Sequence, residues 1–182
     1  MPKPLIWSAI NLSEGRDVEA LTELADSLGE AGLHLADWSA DADHNRSVFS
    51  LVESPEGLRQ GLHIIFDWAV RHIDMSRHQG QHPRLGAVDV VPFAPLGETT
   101  MEQAKEVGRN CATEISDTYG VPIFLYRESS ASPDLPLTLP FLRKGGLEGL
   151  VQRWADGEVK NDLGTGQPHP TLGVSIFGAR PP

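Results

Sequence analysis

Two alternating runs, Leu33 to Trp38 and Arg46 to Val52, face each other across the polar turn Asp41-Ala42-Asp43-His44-Asn45. Such a pair reads as an antiparallel hairpin with a charged loop. A helix starts directly after it. Ser54-Pro55-Glu56 joins a capping serine to a proline at the first helical position, and Leu58, Leu62, Ile65, Phe66 and Ala69 carry the helix to about residue 72. A hairpin in a chain whose other strands are separated by helices predicts a mixed sheet.

The remaining pattern fits that frame. Leu5 to Ile10 reads as a first strand, and a polar turn through Asn11, Ser13, Glu14 and Gly15 leads into an amphipathic helix over 16–30. Ala87 to Phe93 is a strand. Thr100-Met101-Glu102-Gln103 matches a capping box and opens a helix with Ala104, Val107, Cys111 and Ile115 on one stripe. Val121 to Tyr126 is a strand, 129–140 a Ser/Pro loop, 139–144 and 146–155 short helical pieces, 157–170 a second polar loop, and Leu172 to Phe177 the last strand. About six strands and five helices without an internal repeat predict an α/β two-layer sandwich with a mixed sheet. The run 121–126 is apolar on both faces. One face must pack on helices, and the other needs a partner or a further layer.

Charge narrows the functional classes. A chain of 182 residues with a formal net charge of -10 is not a general polyanion binder, because phosphate-backbone affinity comes from clustered Lys and Arg. Neither nucleic acid nor membrane is expected as a partner, and a small anion held by two or three local arginines stays open. A mean hydropathy of -0.24 and the absence of any run near ~20 apolar residues fit a soluble protein. Met1-Pro2-Lys3-Pro4 lacks an apolar signal core, and the single cysteine, Cys111, allows no internal disulfide, so a cytoplasmic location is expected. Cys111, on an apolar helical stripe, reads as a small buried hydrophobe.

The chemistry concentrates in Asp74-Met75-Ser76-Arg77-His78-Gln79-Gly80-Gln81-His82-Pro83-Arg84-Leu85-Gly86-Ala87-Val88-Asp89. Gly80 and Pro83 exclude a continuous helix, so His82 sits in a non-helical approach to a strand. His78 and His82 are four apart, but ligation at that spacing needs a helix, and adding Asp41, Asp43 and His44 yields no known zinc pattern, so no metal is assigned. His82 then has two readings. It satisfies backbone groups at a strand entrance, or it acts as a general base, the role its neutral-range pKa suits. Arg46 and Arg84, at strand edges, either are solvated or aim guanidinium forks at carboxylates.

At these residues the chain resembles a family, the N-terminal subdomain of formiminotransferases. The likeness runs through Asn11-Leu12-Ser13-Glu14-Gly15-Arg16-Asp17, Asp43-His44-Asn45-Arg46-Ser47-Val48-Phe49, Ile73 to His78, His82-Pro83-Arg84 with Gly86-Ala87 and Asp89, Glu148-Gly149-Leu150, and Gly178-Ala179-Arg180-Pro181. It implies transfer of a formimino group between 5-formiminotetrahydrofolate and L-glutamate, in histidine degradation and one-carbon metabolism, with tetrahydrofolate as co-substrate. It also implies that His82 is the acid/base and that Arg46 and Arg84 act on carboxylates. The folate-contacting loop of the family matches Gly164, Thr165, Gly166, Gln167, Pro168, His169, Pro170, Thr171, Leu172 and Gly173. An Asp pair that some members carry is Asp37-Trp38-Ser39 here, leaving Asp41 as the substitute, and a family arginine in the Ser/Pro loop is replaced near Leu135. The whole chain, 1–182, is expected to be one such subdomain. The family continues into a second subdomain, with folate between the two. The other wall is therefore expected from a separate chain or a homodimer. The alternative is a non-catalytic folate-binding or assembly module that requires a partner.

Overall fold

The first strand, β1 (Leu5–Leu12), buries Ile6, Ser8, Ile10 and Leu12 in alternation, as the period-two geometry of a strand requires. After it come α1 (Val18–Glu30), β2 (Leu35–Asp41), β3 (Arg46–Glu53), α2 (Pro55–His72) and β4 (Val88–Leu96). The chain continues through α3 (Met101–Tyr119), β5 (Ile123–Leu125), α4 (Leu139–Arg143), α5 (Gly146–Ala155) and β6 (Ser175–Ala179). The computed structural model describes residues 2–81, 83–132, 134 and 137–182. Among these residues, the six strands form one sheet in the order β2-β3-β1-β4-β6-β5. It is mixed, as predicted: β1 is antiparallel to β3 and β4, β2 to β3, while β4 and β5 run parallel to β6. The first six elements thus interleave two βαβ units in the ferredoxin-like manner. The strands β6 and β5 extend that unit at its β4 edge.

Local chemistry starts and stops the helices where the sequence suggests. Asp17 accepts from the Ala20 N–H at 3.0 Å, Ser54 caps α2 ahead of Pro55, and Thr100 with Gln103 makes the capping box of α3. Gly120, at φ 69°, ends α3 in the left-handed conformation that glycine adopts without strain.

The strand edges differ from the sequence reading. The pairing of β2 shifts register between Leu35 and Asp37, which turns Trp38 inward to stack on Phe49 at 5.3 Å. The β5 strand is only three residues long, because Pro122 has no N–H to donate and the chain turns at Arg127 (φ 51°). Leu172 to Val174 do not belong to the last strand. They bond to the segment before β4, through Ala87 N–H to Leu172 O at 2.9 Å and Val174 N–H to Leu85 O at 3.0 Å.

The sheet is covered unequally. On one face, α1, α2 and α3 bury Leu21, Leu24, Leu62, Phe66 and Ile115 against Ile10, Phe49, Phe93 and Phe177. On the other face a second core joins Leu142 of α4 and Leu150 of α5 to Val90, Phe124, Tyr126 and Ile176. The doubly apolar β5 therefore finds its cover within the chain, including an edge contact of Phe124 with Trp154 at 5.2 Å. This added layer spans β4, β6 and β5. Over β1, Leu5 and Trp7 remain 42% and 37% exposed.

Candidate functional site

Three irregular segments meet at one end of the sheet: residues 13–17 after β1, the turn at 42–45, and the described residues of 74–87 before β4. Asn45 ties them together. It is buried and held at φ 49°, a conformation that Asn tolerates better than most side chains. Its Oδ1 accepts from Gly15 N–H at 2.9 Å, and its Nδ2 donates to Gln79 O at 2.9 Å. Ser13 adds two more links, from its N–H to Ala87 O at 2.9 Å and from its hydroxyl to Gly86 O at 2.7 Å.

Two of the three predicted catalytic residues come together here. Arg84 Nη1 donates to His44 O at 3.0 Å. Gly80 leaves room for this, since a Cβ there would stand 2.6 Å from His44 O and 2.7 Å from the Arg84 guanidinium. Arg84 lines a closed crevice with Arg46, Asn11 and Asp89, too tight to hold a water molecule. Burial lowers the Arg84 pKa, Asp89 opposes the shift, and Arg16 adds to it; a guanidinium stays charged throughout. His82, the predicted acid/base, lies outside the described residues.

Asp89 and Arg143 add a partnership that sequence reasoning missed. Asp89 is only 3% exposed. Its Oδ1 accepts from Leu85 N–H at 2.7 Å and its Oδ2 from Arg143 Nη2 at 2.8 Å. The signal was present in the sequence: an aspartate inside an apolar strand must find a cation or a set of donors. Which cation it finds is decided by the fold.

His78 lines a hollow of about 320 Å³ with Ser13, Arg16, Asn45, Asp74 and Arg77. Its ring nitrogens are buried and face the backbone of Ser13 and Asn45 without meeting hydrogen-bond geometry. Burial, and then the Arg84 charge, hold its pKa below the ordinary 6.5, which favours neutral imidazole. Asp41 and His44 bind each other, with Nδ1 and Oδ2 2.9 Å apart, and the His44 N–H also donates to Asp41 at 3.0 Å. These bonds lower the Asp41 pKa. Among the described residues no group of three or more His, Cys, Asp or Glu is placed to hold a metal ion. Cys111 is buried, and burial pushes its thiol pKa up to about 12.

The loop Gly164 to Gly173 is anchored at both ends. Asn161 Nδ2 donates to the carbonyl oxygens of Leu163, Gly164 and Thr165 at 2.8, 3.2 and 2.8 Å. His169 and Gly173 exchange both backbone hydrogen bonds, and the His169 ring accepts from Leu172 N–H at 3.0 Å. Gly173 pairs with Gly86, and Thr171 O accepts from Met75 N–H at 2.8 Å. The far end of this loop is therefore seated on the segment that carries Arg84. Thr165, Gly166 and Gln167 are exposed, and a Cβ on Gly166 would meet nothing within 4 Å. A flat ring can approach such a backbone closely.

Residues 5–180 match the family described as formiminotransferase domain, N-terminal subdomain. A glutamate formimidoyltransferase of Streptococcus pyogenes serotype M1 is 38% identical over 94% of this chain and 58% of its own length. Its counterpart in Thermoplasma acidophilum is 32% identical over 97% of this chain and 58% of its own length. A formimidoyltransferase-cyclodeaminase of Dictyostelium discoideum is 36% identical over 97% of this chain and 33% of its own length. The chain thus spans between a third and three-fifths of these relatives.

Proposed function

The chain belongs to the N-terminal subdomain family of the formiminotransferase domain, and on that footing we propose that it transfers a formimino group between tetrahydrofolate N5 and the amino group of L-glutamate. The observation that carries the reading is the meeting of Arg46, Arg84 and the 172–173 end of the glycine loop on the segment containing His82. The crevice between them is too tight to admit a ligand as it stands, so the two guanidinium groups would serve substrate carboxylates, or the charge that develops in a tetrahedral intermediate, once the side chains around it shift. Residues 164–173 would hold the pteridine through exposed backbone around Gly166.

His82 is the group proposed to move the proton. Its imidazole would take a proton from the glutamate ammonium, freeing the amine lone pair to attack the formimino carbon. It would then return that proton to the departing folate nitrogen as the carbon–nitrogen bond breaks. Arg84, fixed on His44 O, and Arg46 would hold the reactants in register. No helix among the described residues is long and apolar enough to cross a membrane. The reading carries with it the cytoplasmic location and the place in histidine degradation that the family resemblance implies. Because the relatives extend well beyond the matched region, we place the second wall of the cleft in a further subdomain, on the same polypeptide or another, or in a second copy of this chain. The exposed Leu5 and Trp7 lie on the sheet face left open for such a neighbour.

The test joins binding to chemistry. Saturating folinic acid should raise the melting temperature, since a ligand of the native state stabilises it. His82→Ala should lower the transfer rate by roughly 10²–10⁴-fold while leaving that shift in place. An unchanged rate in His82→Ala would remove the acid/base assignment, and absence of any folinic acid shift would remove the folate.

A further inference from the structure

A second hollow, of about 580 Å³, is lined by Pro83, Arg127, Leu139, Pro140, Arg143 and Lys144. Three of these side chains are cations and none is an acid. In a chain of net charge -10, such a convergence runs against composition. Among the described residues, neither Arg127 nor Lys144 is paired with a carboxylate. Arg143 is held from behind by Asp89 at 2.8 Å, and its Nε is buried without a partner among the described residues. Arg127 is a non-glycine residue at φ 51°. Strain of this kind persists where surrounding structure fixes it, often at ligand sites.

We infer that Arg127, Arg143 and Lys144 form a carboxylate-binding subsite beside Pro83. Guanidinium forks match the two oxygens of a carboxylate, and the apolar walls of Leu139, Pro140 and Pro83 suit the methylene chain of a dicarboxylic acid. The link to formimino transfer rests on the function proposed above. There the carboxylates come either from the acceptor amino acid or from the glutamyl end of the folate.

The experiment compares the full chain with an Arg127→Ala/Lys144→Ala variant and leaves Arg143 in place so that Asp89 keeps its partner. Glutarate should raise the melting temperature of the wild type and have little effect on the variant. By calorimetry, the Kd of L-glutamate or of folinic acid should rise about tenfold or more in the variant. A rise for L-glutamate alone identifies the acceptor. A rise for folinic acid, with a pteroate analogue lacking the glutamyl tail unaffected, identifies the tail. An equal glutarate response in both proteins, no response in the wild type, or an equal response to inorganic phosphate overturns the subsite. A wild type that answers glutarate but not folinic acid leaves the subsite standing and removes the folate reading instead.

Discussion

The two halves of the sheet solve the problem of burial differently. At β4, β6 and β5, both faces are apolar and both are covered, by α3 on one side and by α4 and α5 on the other. At β2, β3 and β1, only the face under α1 and α2 is covered, and the opposite face keeps Leu5 and Trp7 partly in water. The candidate site sits where the halves meet, at Asn11 and Asp89 on the adjoining strands β1 and β4. The doubly packed half holds Asp89 and Arg143, while the half-covered one supplies Arg46 and the loops.

Substitutions can break this contrast. Phe124→Ala, in the doubly covered half, should cost about 3–5 kcal/mol, the range for removing a fully buried aromatic side chain. Trp7→Ser, on the open face, removes a side chain already partly in water and should cost less, up to about 2 kcal/mol. Urea unfolding measures both, and comparable losses would erase the distinction. Between these limits lies Asn45→Ala, which strands Gly15 N–H and Gln79 O and leaves alanine at positive φ. A loss of about 1–3 kcal/mol is expected. If Asn45→Ala proves neutral, the three segments hold together without that amide.

A pH series sharpens the comparison with a smaller effect. The folded pKa of His78 lies below 6.5, so both states are neutral above that value. As pH falls below 6.5 the unfolded chain binds a proton first, and stability declines until the folded imidazole also titrates. His169, lowered by burial, adds to the slope with the same sign. Unfolding free energies at pH 7.5 and 5.5 should therefore differ less in His78→Gln than in the wild type. Identical differences would show that His78 is not held neutral.

Helices were legible because their ends are local. The capping oxygens of Asp17, Ser54 and Thr100 lie within three residues of the N–H groups they accept from. Strand ends were less so. Leu172 to Val174 alternate like a strand, yet Leu85 to Ala87 claim their backbone groups, a decision made across the fold. The same division holds at the site. Arg46 and Arg84 lie beside motif residues and could be named from the chain. Arg143, 54 residues from Asp89, could not, because a buried carboxylate advertises its need for a cation and not the address of that cation. Asn45 was visible as a residue, but its role depends on Gly15 and Gln79, which lie 30 and 34 residues away from it.

The double attachment of Asp89 has an engineering consequence. With one oxygen on the Leu85 backbone and the other on Arg143, this carboxylate makes α4 a splint for the segment that contains Pro83 and Arg84. A graft of residues 74–89 onto another sheet would reproduce the sequence of the turn and lose its alignment. The smallest transplantable piece is therefore discontinuous, and it must bring α4 with it.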